Sequence, residues 1–188
     1  MTIENKFQTE LNAVRQNSNL LENYRFEKGV GYSKHFDRLR LNIAMYNDFQ
    51  QNDYYIATFL FQQELLWRKD ENEQEGDVDN LYFSAFLLTR FENPEIIWAF
   101  IEAKNIDFDS SIGFDGEHLV STGVRQTYNY LNTVDHPLKN EILEYIGYSI
   151  DICEYSEEDI KQWKDFKKSY FSIYQSPLND KIDFYFNK

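Results

Sequence analysis

The chain has 188 residues, enough for one domain with a sizeable core, and two independent domains would both be small. Its aromatic content of 18%, with only seven Gly and three Pro, argues against disorder and low complexity. A formal net charge of -13 argues against a nucleic-acid-binding surface, because such surfaces use Lys and Arg to neutralise phosphates. We therefore predict a single domain over residues 1–188 that does not bind nucleic acid.

The N-terminal half carries three helical patterns. Apolar residues at near-helical spacing predict a helix over residues 2–24, interrupted near Asn17. A second helix is predicted over 35–51, and a third over 54–69, with Asp53 able to cap the third. The apolar residues of the third helix cover a surface broad enough to contact two neighbouring elements.

The middle of the chain holds two segments that are apolar on every side, Leu81 to Phe91 and Ile96 to Ala103. A helix of this kind must be buried on more than one side. Between the two, Asn93 can cap the second helix and Pro94 fits its first turn. We predict a helix hairpin that forms the central layer of the fold, because both segments are shorter than a membrane span.

The remaining third of the chain is also predicted to be helical. Residues 105–116 have loop composition, and a helix follows over 117–134. Another helix starts at 135–137, and Ser156 with Asp159 forms a near capping box for a last helix that ends at Pro177. The predicted fold is all-α, a solenoid-like stack of antiparallel helix hairpins with about eight helices.

The negative charge is concentrated in one block. Residues 70–155 carry a net charge of -14, whereas residues 1–69 carry +1 and residues 156–188 carry 0. This distribution would steer a basic partner to the block, although an acidic surface also simply keeps a protein in solution. Within the block, residues 70–79 contain six acids and no base, so they are either a solvated connector or part of a binding surface.

The acidic loop from Asp107 to Glu117 invites comparison with a calcium site. An EF-hand beginning at Asp107 requires Gly at its sixth position and Glu at its twelfth, where this chain has Ile112 and His118. We predict no metal or cofactor and interpret the segment as a structured turn. Its expected turn residues are Asp109 and Ser110, which would bond backbone amides, and Gly113 and Gly116, which would supply unusual dihedrals.

The single Cys153 excludes an internal disulfide, and a free thiol fits a reducing compartment. The sequence opens Met1-Thr2-Ile3-Glu4, which has neither the basic nor the apolar region of a signal peptide. We therefore expect a cytoplasmic protein that does not enter a membrane.

The segment Trp98 to Lys104, followed by Phe108 to Leu119 and then Gly123, resembles helical immunity proteins of bacterial polymorphic toxin systems. The resemblance covers about 25 of the 188 residues. It implies a small cytosolic protein that binds a cognate toxin domain and blocks it without chemistry of its own.

The resulting prediction is a non-enzymatic binding protein that neutralises a basic toxin domain, with Tyr side chains as anchors beside the acids. One alternative is a helical-repeat adaptor for another protein. A second is a hydrolase or metal-dependent enzyme centred on Asp115, Glu117 and His118. The acids predicted to contact the partner are Glu71, Glu73, Glu75, Asp77, Asp107, Asp109, Asp115 and Glu117.

Overall fold

The computed structural model is all-α, which confirms the predicted class. It describes residues 3–30, 32–70 and 78–186, with side chains described over 7–30, 33–70 and 78–172. Over these ranges it has nine α-helices, close to the number predicted, and five short 3₁₀ segments. Contacts group the chain into two compact units, Met1–Leu88 with Ile173–Lys188 and Thr89–Ser172.

Helices of the first unit follow the sequence patterns closely. They are α1 (Ile3–Gln16), α2 (Tyr32–Asn47), α3 (Tyr54–Lys69) and α4 (Asp79–Thr89). The predicted interruption near Asn17 is confirmed, because a 3₁₀ segment follows it and its side chain accepts a hydrogen bond from the N–H of Asn19. Apolar side chains from all four helices form the buried core, including Leu11, Val14, Leu39, Ile43, Ile56, Leu60, Phe83 and Leu87.

Asp53 stands immediately before α3, as predicted, but its side chain makes no capping hydrogen bond. Its carboxylate instead accepts from Arg15 at 2.9 Å and 2.6 Å, and Arg15 also binds Asp48 at 2.6 Å. Two parallel bonds from a guanidinium are stronger than one bond from a neutral amide, so the ion pair takes the carboxylate. Asp53 therefore links the start of α3 to α1.

The second unit contains α5 (Ile97–Lys104), α6 (Phe108–Gly113), α7 (Val124–Thr133) and α8 (Lys139–Ile146), and α9 (Glu157–Phe186) begins in it. The predicted Asn93 cap is confirmed, because its side chain accepts from the N–H of Glu95 at 3.0 Å. The capping box is confirmed as well. Asp159 accepts from the N–H of Ser156 at 2.8 Å, and the Ser156 hydroxyl accepts from the N–H of Asp159 at 3.2 Å.

The two central apolar segments form α4 and α5, and both are buried as predicted. The large buried apolar side chains are Leu81, Phe83, Phe86, Leu87 and Leu88 in α4 and Ile97, Phe100 and Ile101 in α5. No helix in the described ranges is both long and apolar enough to cross a bilayer. Pairing of α4 with α5 as a hairpin stays a prediction.

Two predicted helix boundaries were wrong. The helix expected over 117–134 is divided, because Gly123 has a φ of 105° and separates a 3₁₀ segment from α7. Helix α9 does not end at Pro177 but runs on to Phe186. A proline removes one backbone hydrogen bond and restricts its neighbours, which disfavours a helix without forbidding it.

Gly147 ends α8 and opens the α8–α9 connector, which we define as residues 147–156. Its φ is 98°, and a Cβ there would lie 2.5 Å from the backbone oxygen of Ile152. Gly147→Ala is therefore expected to lower the free energy of unfolding by about 2 kcal/mol, from a strained dihedral and a steric clash. Urea denaturation followed by circular dichroism measures this loss.

Gly29→Ala is the matched control for Gly147→Ala. Gly29 also has a positive φ, 81°, but nothing lies within 4 Å of a Cβ built on it. Gly29→Ala should lose only the part of the free energy of unfolding that comes from the strained dihedral. Equal losses at the two glycines would show that the contact with Ile152 has no energetic consequence.

Candidate partner-binding surface

The segment between α5 and α7 was predicted as a loop, but its centre is the short helix α6. Asp107 precedes this helix in an extended conformation, and its Oδ1 accepts from the N–H of Ser110 at 2.8 Å. An Asp at this position satisfies an amide that the helix itself leaves without a partner. The loop prediction for 105–116 was therefore wrong at its centre. Gly113 and Gly116 lie in helical turns and not in unusual conformations, which corrects that prediction too.

One face of α6 presents two large apolar side chains to solvent. Phe108 is 76% exposed and Ile112 is 70% exposed. Residues four apart share one face of a helix, and the exposed Asp109 lies beside them. We name Phe108, Asp109 and Ile112 the α6 patch. Large apolar groups at this exposure are typical of interaction surfaces when they occur together.

Lys104, at the end of α5, holds α6 in position. Its ammonium donates to the backbone oxygens of Ser111 and Phe114, both at 2.8 Å, so it satisfies carbonyls at the C-terminal end of α6. Burial lowers the pKa of Lys104, although Asp115 and Glu117 oppose that shift. This role of Lys104 was not predicted from the sequence. A Lys in the last turn of an apolar helix, ten residues before Phe114, was its only signal.

Asp115 is committed to contacts inside the second unit. Its carboxylate accepts from Lys167 at 2.5 Å and from the indole N–H of Trp163 at 2.9 Å, both on α9. Burial opposes ionisation of Asp115, but these two hydrogen bonds together with the charges of His118 and Lys167 outweigh it and lower the pKa of Asp115. The side chain predicted to contact a partner therefore holds α9 in place.

His118 lies in the interior of the second unit, with 3% of its surface exposed. Its Nδ1 lies 3.1 Å from the backbone oxygen of Asp115, and its Nε2 has no hydrogen-bond partner among the described atoms. The rings of Phe114 and Trp163 lie 4.3 Å and 4.8 Å from the imidazole, centroid to centroid. Burial, with the charges of nearby lysines, lowers the pKa of His118 to about 4.

These positions do not favour a catalytic role for Asp115, Glu117 and His118. An acid or base must come within hydrogen-bond reach of a substrate, and the ring of His118 is closed off from solvent. The adjacent Gly116 is covered by Tyr155, whose hydroxyl oxygen would lie 2.0 Å from a Cβ built there. Among the described residues, no three His, Cys, Asp or Glu side chains are grouped as metal ligands.

The structure thus separates the predicted partner-binding acids into several groups. Asp109 is exposed on α6, and Glu117 is half-buried. Asp107 and Asp115 make the internal contacts given above. The other four, Glu71, Glu73, Glu75 and Asp77, lie outside the described residues, and their role stays a prediction.

Fold and surface together define an all-α protein with an acidic block over residues 70–155 and exposed apolar groups. Comparison of the chain with protein-family models, with curated proteins and with solved structures found no match.

Proposed function

We propose that this chain is a non-enzymatic binding protein that neutralises a basic bacterial toxin domain in the cytoplasm. The observation that carries the proposal is the α6 patch, where Phe108 and Ile112 are exposed at 76% and 70%. The patch lies within the block of net charge -14, so apolar contact and charge attraction would act on the same partner.

The chemistry of such a partner follows from the charge. Toxins that attack nucleic acids carry Lys and Arg at the site that holds their substrate, because phosphates must be neutralised there. An acidic protein with an apolar anchor can occupy that site and exclude the substrate. The resemblance of residues 98–104, 108–119 and Gly123 to helical immunity proteins supports the same proposal.

The α6 patch is also prepared for binding before a partner arrives. Asp107 caps the helix and Lys104 holds its C-terminal carbonyls, so the two apolar side chains project from a fixed backbone. Less conformational entropy is then lost on association than from a flexible loop.

Co-expression with the protein encoded by the adjacent open reading frame, if that protein arrests growth, tests the proposal. The wild-type chain should restore growth, and Phe108→Ser/Ile112→Ser should weaken binding of the purified toxin domain by about tenfold or more, because it removes the apolar anchor without changing charge. Isothermal titration calorimetry measures the affinity, and growth curves measure the neutralisation.

The matched control is Val30→Ser/Leu66→Ser, which removes two exposed apolar side chains from the first unit. It should bind and neutralise as the wild type does. Failure of the wild-type chain to restore growth would contradict the proposed function and favour a helical adaptor. Equal binding by the Phe108→Ser/Ile112→Ser variant would remove only the α6 patch from the interface.

A further inference from the structure

The α8–α9 connector exposes three large apolar side chains within five residues. Tyr148, Ile150 and Ile152 are 59%, 45% and 62% exposed. Helix α8 ends before Gly147, and Ile150–Ile152 form a short 3₁₀ segment within the connector. These side chains are a second group of exposed apolar residues, separate in sequence from the α6 patch.

The backbone of this connector is held in place by hydrogen bonds. The N–H of Glu154 donates to the oxygen of Ile146 at 3.2 Å, and the N–H of Ile152 donates to Ser149 at 3.1 Å. From α7, the hydroxyl of Tyr128 donates to the oxygens of Ile146 and Gly147, at 3.1 Å and 2.7 Å. The exposed side chains therefore project from an ordered turn, which reduces the entropy lost on binding.

The sequence of the connector and the residues next to it is acidic, between Lys139 and Lys161. Residues 140–160 contain seven Asp and Glu and no Lys or Arg. Three of these acids are exposed and stand close in sequence to the apolar side chains, namely Glu144, Asp151 and Glu154. A ligand for this surface must bring apolar groups to the centre and positive charge to the rim.

We infer that the connector is a docking surface for a cationic amphipathic protein segment, whose apolar side chains cover Ile150 and Ile152 while its Lys and Arg meet Asp151 and the neighbouring acids. A membrane is disfavoured because anionic headgroups would be repelled. A second copy of this chain is disfavoured because a two-fold interface would bring the same acids together. The inference rests on the proposed function in naming the same class of partner, but its test needs no toxin.

A labelled helical peptide of Leu and Lys is the probe, and a Leu and Glu peptide of the same pattern is the charge control. Fluorescence anisotropy should show that the wild-type chain binds the first and not the second. Ile150→Ser/Ile152→Ser should weaken binding by about tenfold or more, because the apolar centre is lost while every charge remains. Asp151→Lys should weaken it and flatten its salt dependence.

Val30→Ser/Leu66→Ser again serves as the matched control and should bind the peptide as the wild type does. Circular dichroism and the urea midpoint should show that both double variants are folded, since all four side chains are exposed. Equal binding by Ile150→Ser/Ile152→Ser, or no binding by the wild type, would overturn the inference. So would light scattering that shows wild-type dimers which this variant abolishes.

Growth rescue separates this inference from the proposed function. A wild-type chain that binds the peptide but does not neutralise the toxin would contradict the proposed function alone. A connector variant that loses peptide binding yet neutralises fully would leave the proposed function standing and show that the toxin does not use the connector.

Discussion

Glu64→Leu is expected to lower the free energy of unfolding by about 3–5 kcal/mol, because it leaves the charge of Arg38 buried without its carboxylate. Both side chains have 0% of their surface exposed. Glu64 accepts from Arg38 through one oxygen and contacts Nδ1 of His35 at 2.9 Å through the other. Urea denaturation at neutral pH measures the loss.

Arg38 has few other partners to replace Glu64. One terminal nitrogen donates to the backbone oxygen of Tyr24 at 3.3 Å, and the other has no hydrogen-bond partner among the described atoms. The double variant Glu64→Leu/Arg38→Met should therefore recover most of the stability, since it removes both charges and fills the space with apolar groups. A double variant no more stable than Glu64→Leu would show that packing, and not the unpaired charge, causes the loss.

An exposed pair in the same unit is the matched control. Glu22 and Arg25 form the same kind of ion pair at 2.6 Å, with 62% and 51% of their side chains exposed. Glu22→Leu should leave stability nearly unchanged, because water already solvates both groups.

Burial raises the pKa of Glu64, but the opposing charges of Arg38 and His35 leave it lowered overall. The stability contributed by this carboxylate is therefore present above its ordinary pKa and lost as pH falls through the lowered one.

Helices of the first unit could be predicted because their signals are local and periodic. Residues 54–69 were predicted as one helix and form one, since apolar positions recur along the whole segment. The function of Asp53 could not be predicted, because its partner Arg15 lies 38 residues away in the sequence. Local patterns define a capping position, but tertiary contacts decide what the side chain binds.

The candidate surface was only partly predictable for the same reason. Charge counting indicated the acidic block, but the fate of Asp115 depends on Lys167 and Trp163, which are distant in the sequence. Phe108 and Ile112 were not predicted as surface residues, because loop composition over 105–116 does not show which apolar side chains face solvent. The sequence did carry one signal. Asp107 is a residue type that caps helices, and the segment that follows it is short.

Because of His118, the stability of the folded chain is expected to decrease as the pH is lowered from about 6.5 to about 4. In the unfolded chain this imidazole takes up a proton near its ordinary pKa of about 6.5. In the folded chain, burial together with Lys104 and Lys167 outweighs Asp115 and lowers the pKa to about 4. The unfolded state therefore binds more protons in this interval, which costs the folded state roughly 3 kcal/mol across it.

His118→Phe should remove this part of the pH dependence while keeping an aromatic ring between Phe114 and Trp163. The carbonyl of Asp115 still accepts from the backbone N–H of residue 118 at 3.3 Å, so the substitution does not leave that oxygen without a partner. Urea denaturation at several pH values above 5 measures the difference between the two proteins, where the carboxylates of Asp115 and Glu64 contribute little.

Phe114→Leu separates the titration of His118 from its packing. It removes a ring 4.3 Å from the imidazole, so it should lower stability at every pH while leaving most of the wild-type slope. If the stability of His118→Phe changes with pH as steeply as that of the wild type, another group causes the pH dependence. If His118→Phe instead gives the flatter curve, the neutral form of the buried imidazole is the form that the fold requires.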